Sequence, residues 1–429
     1  MNSSCAKKND IENIDQTSGA RWYFIPLLAS AYMAVGANMQ GINALMPFIR
    51  DDFTLTRAQA GLYSSFYFLS ATCIAVVSGR IVDRLGTRKG VLIAASSVGV
   101  MMLLHAMSPI YGIMLMLAFF TGFGFSLMTP SVSRGVMQNF PAERRAFSMG
   151  LAHSGGGIGG MFGAVLLPVI AQRLGWRYAL SASAIFALII VPFIFAFLRD
   201  SSLAIPRSDD GDNQTGEPET FLQGILALLK NRLLLCTCGF GIILGGALSS
   251  ISAHYALFLT RDLDIDPRIA GLGLATVLIG VIIGQPGWGW ISDRFLNADR
   301  RLTLFVFGLT GATVSLAVGL SIGVVTPNYP ILIIASLALG LLTIGGMALF
   351  FTTISELAGV ERAGTAAGLS LIFTRTGVIF SPPLFGLISD LTESYRYSWL
   401  ALGGVMLASA VAFYIIFGIF KKREMTDTQ

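Results

Sequence analysis

Charge is what this sequence has least of. Only 12% of its 429 residues are Asp, Glu, Lys or Arg, about half the ~25% of a soluble domain. With 54% hydrophobic residues and a mean hydropathy of +0.70, this excludes a cytosolic enzyme. Cysteine is also scarce. Cys5, Cys73, Cys236 and Cys238 have no zinc or disulfide spacing, so free thiols and no metal site are expected. The first twenty residues hold no apolar segment of the kind a cleavable signal needs. No P-loop, H-E-x-x-H or G-x-S-x-G occurs, which removes support for an ATP-driven pump or a membrane hydrolase. The chain is read as a non-enzyme with no catalytic residues and no cofactor. A net charge of +5 does not imply nucleic acid, because cytoplasmic loops of membrane proteins carry such an excess.

Apolar runs of spanning length are abundant. Six fall at 22–46, 60–81, 89–108, 110–133, 147–171 and 177–198, and six more at 233–259, 269–292, 302–323, 330–355, 364–388 and 398–420. Each is close to the ~20 residues that cross a bilayer. This predicts a polytopic membrane protein: a tail (1–20), a first half (21–198), a polar linker (199–232), a second half (233–420) and a second tail (421–429). The linker contains DDGDNQTGEPE, a composition that does not fold. Its end, 221–232, is apolar with a basic terminus and is expected on the membrane surface. Asn213 matches a glycosylation sequon by chance, since the topology puts it in the cytosol. Placing the N-terminus inside puts twenty-one Lys and Arg on the inner side against seven outside, so both termini are expected to be cytoplasmic. The remaining basic residue, Arg375, falls inside a run.

The two sets of runs repeat each other. Gly79-Arg-Ile-Val-Asp83-Arg84 recurs as Gly289-Trp-Ile-Ser-Asp293-Arg294, and Glu143-Arg144 before Gly150-Leu151 recurs as Glu361-Arg362 before Gly368-Leu369. Internal duplication is a transporter signature. The segment from Gly79 through Asp83, Arg84, Gly86, Arg88 and Lys89, between runs 2 and 3, resembles the loop motif of the major facilitator superfamily, G-x-x-x-D-R-x-G-R/K-R/K. The second copy keeps Gly289, Asp293 and Arg294, and its basic pair slides to Arg300 and Arg301. The resemblance spans nearly the whole chain. It implies an all-α membrane protein with twelve transmembrane helices in two pseudo-symmetric six-helix halves. It also implies a conformational latch in which Asp83 meets the cytoplasmic end of helix 11, where a carboxylate is stabilised by the helix dipole. Glu143, Arg144, Arg145, Glu356, Glu361 and Arg362 share that face and are expected to extend the relay. The stretch from Phe140 to Arg177 looks like bacterial organic-anion permeases of the anion:cation symporter type. Those often carry a basic residue in helix 1 and Arg with Glu in helix 4; this chain has neither.

Ionisable groups inside spans cost about 2.5–3.5 kcal/mol at the bilayer centre and are functional hypotheses by default. Arg375 lies near the midplane of run 11, followed by Ser381-Pro382-Pro383. The prolines donate no backbone bond, so the carbonyls of Val378 and Ile379 are expected to be free toward a cavity. A cation with no acid near it in sequence suggests an anionic substrate. His153 corresponds across the repeat to Leu371, one turn from Arg375, and is the expected proton carrier. His254, Tyr32, Asn38, Gln40 and Asn43 complete the expected substrate site, with Tyr63, Tyr67 and Gln285 as weaker additions. Gly155-Gly-Gly157-Ile-Gly-Gly160 matches a nucleotide fingerprint but sits in a span, so close helix packing at the moving interface is the reading. The function expected is secondary transport of a small organic anion across the inner membrane, possibly coupled to protons, by a monomer in the lipid bilayer. The alternatives are an efflux permease and a non-transporting sensor or assembly protein docking through 199–232.

Overall fold

The computed structural model describes residues 23–140, 142–198, 228–324, 328–358 and 363–427. The side chains of residues 75–77, 79, 80, 83, 137, 142–150, 363–365, 367 and 423–427 also lie outside the described set.

Among the described residues the chain is helical throughout: α1 (Phe24–Asp52), α2 (Arg57–Ala106), α3 (Tyr111–Asn139), α4 (Ala142–Leu174), α5 (Trp176–Phe197), α6 (Arg232–Arg261), α7 (Pro267–Phe295), α8 (Arg300–Ser321), α9 (Tyr329–Leu339), a π turn (Gly340–Ile344), α10 (Met347–Ala358), α11 (Ala363–Thr392) and α12 (Tyr395–Asp427). Ten stretches are long and apolar enough to cross a membrane. The first helix, α1, is not among them, because Asn38, Gln40 and Asn43 lower its hydropathy.

Runs 2 and 3 are expected on either side of a loop. The structure instead carries helix through the motif, with only Gly86 non-helical (φ 85°, ψ 169°). An unbroken helix of 50 residues would reach about 75 Å, more than twice the hydrocarbon thickness. The chain therefore turns at the one residue type that adopts positive φ without strain. Span 10 is likewise composite, with α9 and α10 joined through the π turn. At that turn Gly340 lies so close to Val277 that a Cβ would sit 1.9 Å from the Val277 carbonyl oxygen.

Glycines bring helices into backbone contact in both halves, and one such contact is repeated at equivalent positions. A Cβ on Gly159 of α4 would stand 1.9 Å from the Met33 carbonyl oxygen of α1, and a Cβ on Gly377 of α11 would stand 1.8 Å from the Ile242 carbonyl oxygen of α6. Gly155 and Gly163 continue the first contact against Ala29 and Ala37. The glycine run thus packs helices as expected: Gly155, Gly159 and Gly163 do so inside the first half, while a Cβ on Gly157 or Gly160 would lie 3.5 Å from Ile282 or Leu278 of α7, in the second half. The corresponding positions of the repeat, Gly159 and Gly377, perform the same task.

The linker residues 199–227, including Asn213, lie outside the described set. Leu228–Lys230 are helical, and Asn231 caps α6 by accepting the Leu234 N–H at 3.0 Å. Helix α12 continues to Asp427, so the expected second tail is largely an extension of span 12.

Candidate functional site

A cavity of about 310 Å³ lies between the halves. Gln40 and Asn43 of α1 and Ser64 of α2 line it from the first half, and Ser249, Ser252, Gln285, Thr374 and Arg375 from the second. Its apolar wall includes Met39, Phe68, Phe125, Met347 and Phe351. Room for the polar groups comes from α4, where a Cβ on Gly160 would press within 2.9 Å of Gln40 Cγ. The Asn43 amide donates to Gln40 Oε1 at 2.9 Å, which holds the two amides on one face, as their three-residue spacing requires.

Arg375 projects from α11 toward the opposite half. Its Nη1 is 3.5 Å from Thr72 Oγ1, and the hydroxyls of Tyr32 and Tyr67 are within its electrostatic reach. Among the described residues no carboxylate lines the cavity. His153 stacks on Tyr32, ring centroids 4.9 Å apart, while the Tyr32 hydroxyl pairs with Thr129 Oγ1 at 3.0 Å. His153 and Arg375 therefore share Tyr32 as a neighbour, with neither touching the other. The Nε2 of His153 is buried and makes no hydrogen bond.

Other expected site residues are placed elsewhere. Asn38 is buried inside the first half, donating to the Ala34 carbonyl at 2.7 Å and accepting from Ser183 Oγ at 3.0 Å. His254 is fully buried, with Nδ1 3.0 Å from the Tyr395 hydroxyl and Nε2 2.8 Å from the Pro382 carbonyl. Both ring nitrogens are engaged, so it has nothing to offer a ligand. The carbonyls freed by Pro382 and Pro383 are not left open to the cavity either. Ser249 Oγ donates to the Val378 carbonyl at 3.0 Å, and Ser65 Oγ donates across the halves to the Ile379 carbonyl at 2.5 Å. A buried carbonyl needs a partner, and two serines supply it.

The bundle is tied shut at one end by a cluster whose partners lie hundreds of positions apart. Helix α2 begins with N–H groups that have no intrahelical acceptor. Thr56 takes one, with Gln59 N donating to its Oγ1 at 3.1 Å. Asp390 of α11 takes two more, accepting from Arg57 N and Ala58 N at 2.7 Å each. The Arg57 guanidinium reaches the Asp262 carboxylate at 3.2 Å and the Ser389 carbonyl at 2.7 Å. The side chains of this ion pair are only 13% and 5% exposed. Asp262 also accepts from Ser394 Oγ and Tyr395 N. Arg261 pairs with Asp51, and Gln172 with Asp266 at 2.9 Å. All of these except the Thr56–Gln59 bond and the Asp262 bonds to Ser394 and Tyr395 join one half to the other. The only sequence signal for this cluster was a set of charges at run ends, which read as loop charge.

The motif residues divide by location. Gly79 and Asp83 lie outside the described side chains, as do Glu143, Arg144, Arg145, Glu361 and Arg362. Arg84 and Lys89 are exposed, and the Arg88 guanidinium lies 4.6 Å from the centre of the Phe195 ring at the end of α5. In the second half Arg300 bridges Asp293 at 2.8 Å and Glu356 at 2.9 Å, joining α7, α8 and α10. Arg294 is exposed. Glu356 thus takes part in a relay inside its own half.

Two helical halves meeting around a central cavity, shut at one end, are the construction of a membrane carrier. The pattern of the Major Facilitator Superfamily matches residues 28–258 and 245–427, and the chain belongs to that family. It is 26% identical over 383 residues to the gentisate transporter of Corynebacterium glutamicum, covering 87% of this chain and 83% of that one. It is 22% identical to the hexuronate transporter of Bacillus subtilis, covering 90% and 93%. The structure of a bacterial homologue of the human lysosomal transporter Spinster superposes with a TM-score of 0.76 at 14% identity, covering 93% of this chain and 97% of that one. The last likeness is one of fold. Together they define a multi-pass membrane transporter.

Proposed function

We propose that this transporter carries a small organic anion by alternating access, with Arg375 as the counter-ion in the central cavity. The observation that carries the reading is Arg375 itself, a cation lining a cavity that no carboxylate among the described residues lines. Its guanidinium suits a carboxylate or sulfonate, binding in a planar, forked geometry. The Gln40–Asn43 pair supplies amide donors on the facing half, and Phe68, Phe125 and Phe351 offer surface to an apolar body. The relatives named for gentisate and hexuronate, both carboxylates, support the same class. Gln40, Asn43 and Arg375 are the residues we assign to the substrate, and Tyr32 we assign to holding Arg375 and His153 in register. His153 is the titratable group through which pH would act on the site.

The excess of basic residues on one side supports cytoplasmic termini in a cell inner membrane. The Arg57–Asp390 end then faces outward, and the structure corresponds to a carrier sealed on its outer side. Asp83 and its basic neighbours are proposed to form the opposing latch at the inner side, closing when the outer cluster opens. Residues 21–198 and 233–420 are the proposed moving halves of a monomer, joined by 199–232.

Thermal unfolding of the purified protein against a panel of carboxylates, sulfonates, neutral sugars and lipophilic cations tests this reading, because a ligand of the native state raises its stability. Stabilisation by one class of anion, lost in Arg375→Ala, is expected. Stabilisation by lipophilic cations, unchanged in the variant, would overturn the anion reading in favour of efflux.

A further inference from the structure

All 24 acidic residues of the sequence fall outside the twelve apolar runs. Among the described residues, four acids near the ends of the spans are committed elsewhere. Asp390 is held by two backbone N–H groups, and Asp262 by Arg57, Ser394 and Tyr395. Asp293 and Glu356 are held by Arg300. The groups that face Arg375 are neutral hydroxyls: Thr72 and Tyr67 on α2, and Tyr32 on α1. His153 on α4, behind Tyr32, gains charge of the same sign when it binds a proton. A guanidinium does not lose its own proton in a protein. Among the described residues, then, the charge of Arg375 has no acidic partner, and it has no titration that removes it.

This has a consequence for the transport cycle. While the cavity is open to water, Arg375 is screened. To pass from one open side to the other, the carrier must close around it, leaving the charge in a medium of low dielectric. With an anion bound, the closed site is neutral. Empty, it holds a lone cation at the midplane, a state disfavoured on the order of 100-fold by the insertion scale for a central arginine. We propose that the protein is an obligate anion exchanger: the loaded carrier crosses readily, and the empty carrier is held back by Arg375. The inference rests on the reading of Arg375 as the substrate's counter-ion. It further specifies a cargo with one negative charge, because a monoanion leaves the loaded site neutral, so that neither crossing of the loaded carrier moves net charge through the membrane potential.

The test uses proteoliposomes and radiolabelled gentisate and glucuronate as probes. Vesicles are loaded either with the same unlabelled anion or with buffer alone. Uptake into anion-loaded vesicles is expected to exceed uptake into buffer-loaded ones on the order of 100-fold. An imposed pH gradient should not close that gap, nor a potassium diffusion potential change the exchange rate. Equal uptake into both kinds of vesicle would overturn the exchange proposal while leaving the anion reading intact. Uptake into neither would overturn both. A variant isolates the cause. Thr72→Asp places a carboxylate beside Arg375 Nη1, so the empty site becomes neutral. It is expected to narrow the gap at least 10-fold by raising uptake into buffer-loaded vesicles. A gap that stays unchanged in this variant, with exchange still measurable, would show that the charge of Arg375 is not what holds the empty carrier.

Discussion

Arg57 and Arg375 both bury a guanidinium where α2 meets α11, and they differ in what surrounds them. Arg57 has the Asp262 carboxylate at 3.2 Å and the Ser389 carbonyl at 2.7 Å, while Asp390 holds the backbone beneath it. Arg375 has one hydroxyl at 3.5 Å and open cavity beyond. A buried charge whose partners are built in is a fastener, and its removal leaves another charge stranded. A buried charge with no acid beside it among the described residues is the feature on which the proposed site rests. The same residue type, on the same pair of helices, is thus held in a network at one end and stands beside an open cavity at the middle, where we propose the site.

The contrast can be broken at each place. Arg375→Gln is expected to have the largest effect, abolishing measurable anion binding in calorimetry while leaving the fold intact, because no internal acid loses a partner. Arg57→Ala should do the opposite. It strands Asp262 in a buried setting and costs the closed state about 3–5 kcal/mol, so the closed end opens. Labelling of a cysteine introduced at Ser64, in the cavity, by a reagent confined to the outer side would rise accordingly. Asp390→Asn keeps the shape but weakens the bond to the helix terminus, by about 0.5–2 kcal/mol for such a cap; the same labelling assay should show a shift of roughly 10-fold. Arg300→Ala unties Asp293 and Glu356, which are 63% and 48% exposed. Pairs this open contribute up to about 1 kcal/mol, so a thermal midpoint lower by only a few degrees is expected. The smallest effect belongs to His153→Gln, which should flatten the pH dependence of exchange and leave its maximum rate nearly unchanged.

Much of the architecture was legible from the sequence because it depends on local quantities. Run length and composition set the spans, and the duplicated Gly-x-x-x-Asp-Arg set the two halves. Arg375 stood out because a charge inside an apolar run is costly wherever the chain folds. The lock at the Arg57–Asp390 end was not legible. Arg57 and Asp390 are 333 positions apart, and a charge at the end of a span looks the same in sequence whether it faces water or a partner helix. His254 and Asn38 were misplaced for a related reason. A polar group in a span must be satisfied, but periodicity does not say whether a substrate or a neighbouring helix does it. Tyr395 and the Pro382 carbonyl satisfy the first, and Ser183 and Ala34 the second. The serines that cap the Val378 and Ile379 carbonyls belong to the same class: the prolines predicted the gaps, and only the fold showed what fills them.

The central claim is that Arg375 reads the charge of the cargo. It is tested most directly by comparing the binding of gentisate with that of its uncharged amide, which has nearly the same shape. The account predicts that the acid binds and the amide does not, and that the preference disappears in Arg375→Gln. Equal binding of acid and amide to the unmodified protein would contradict it.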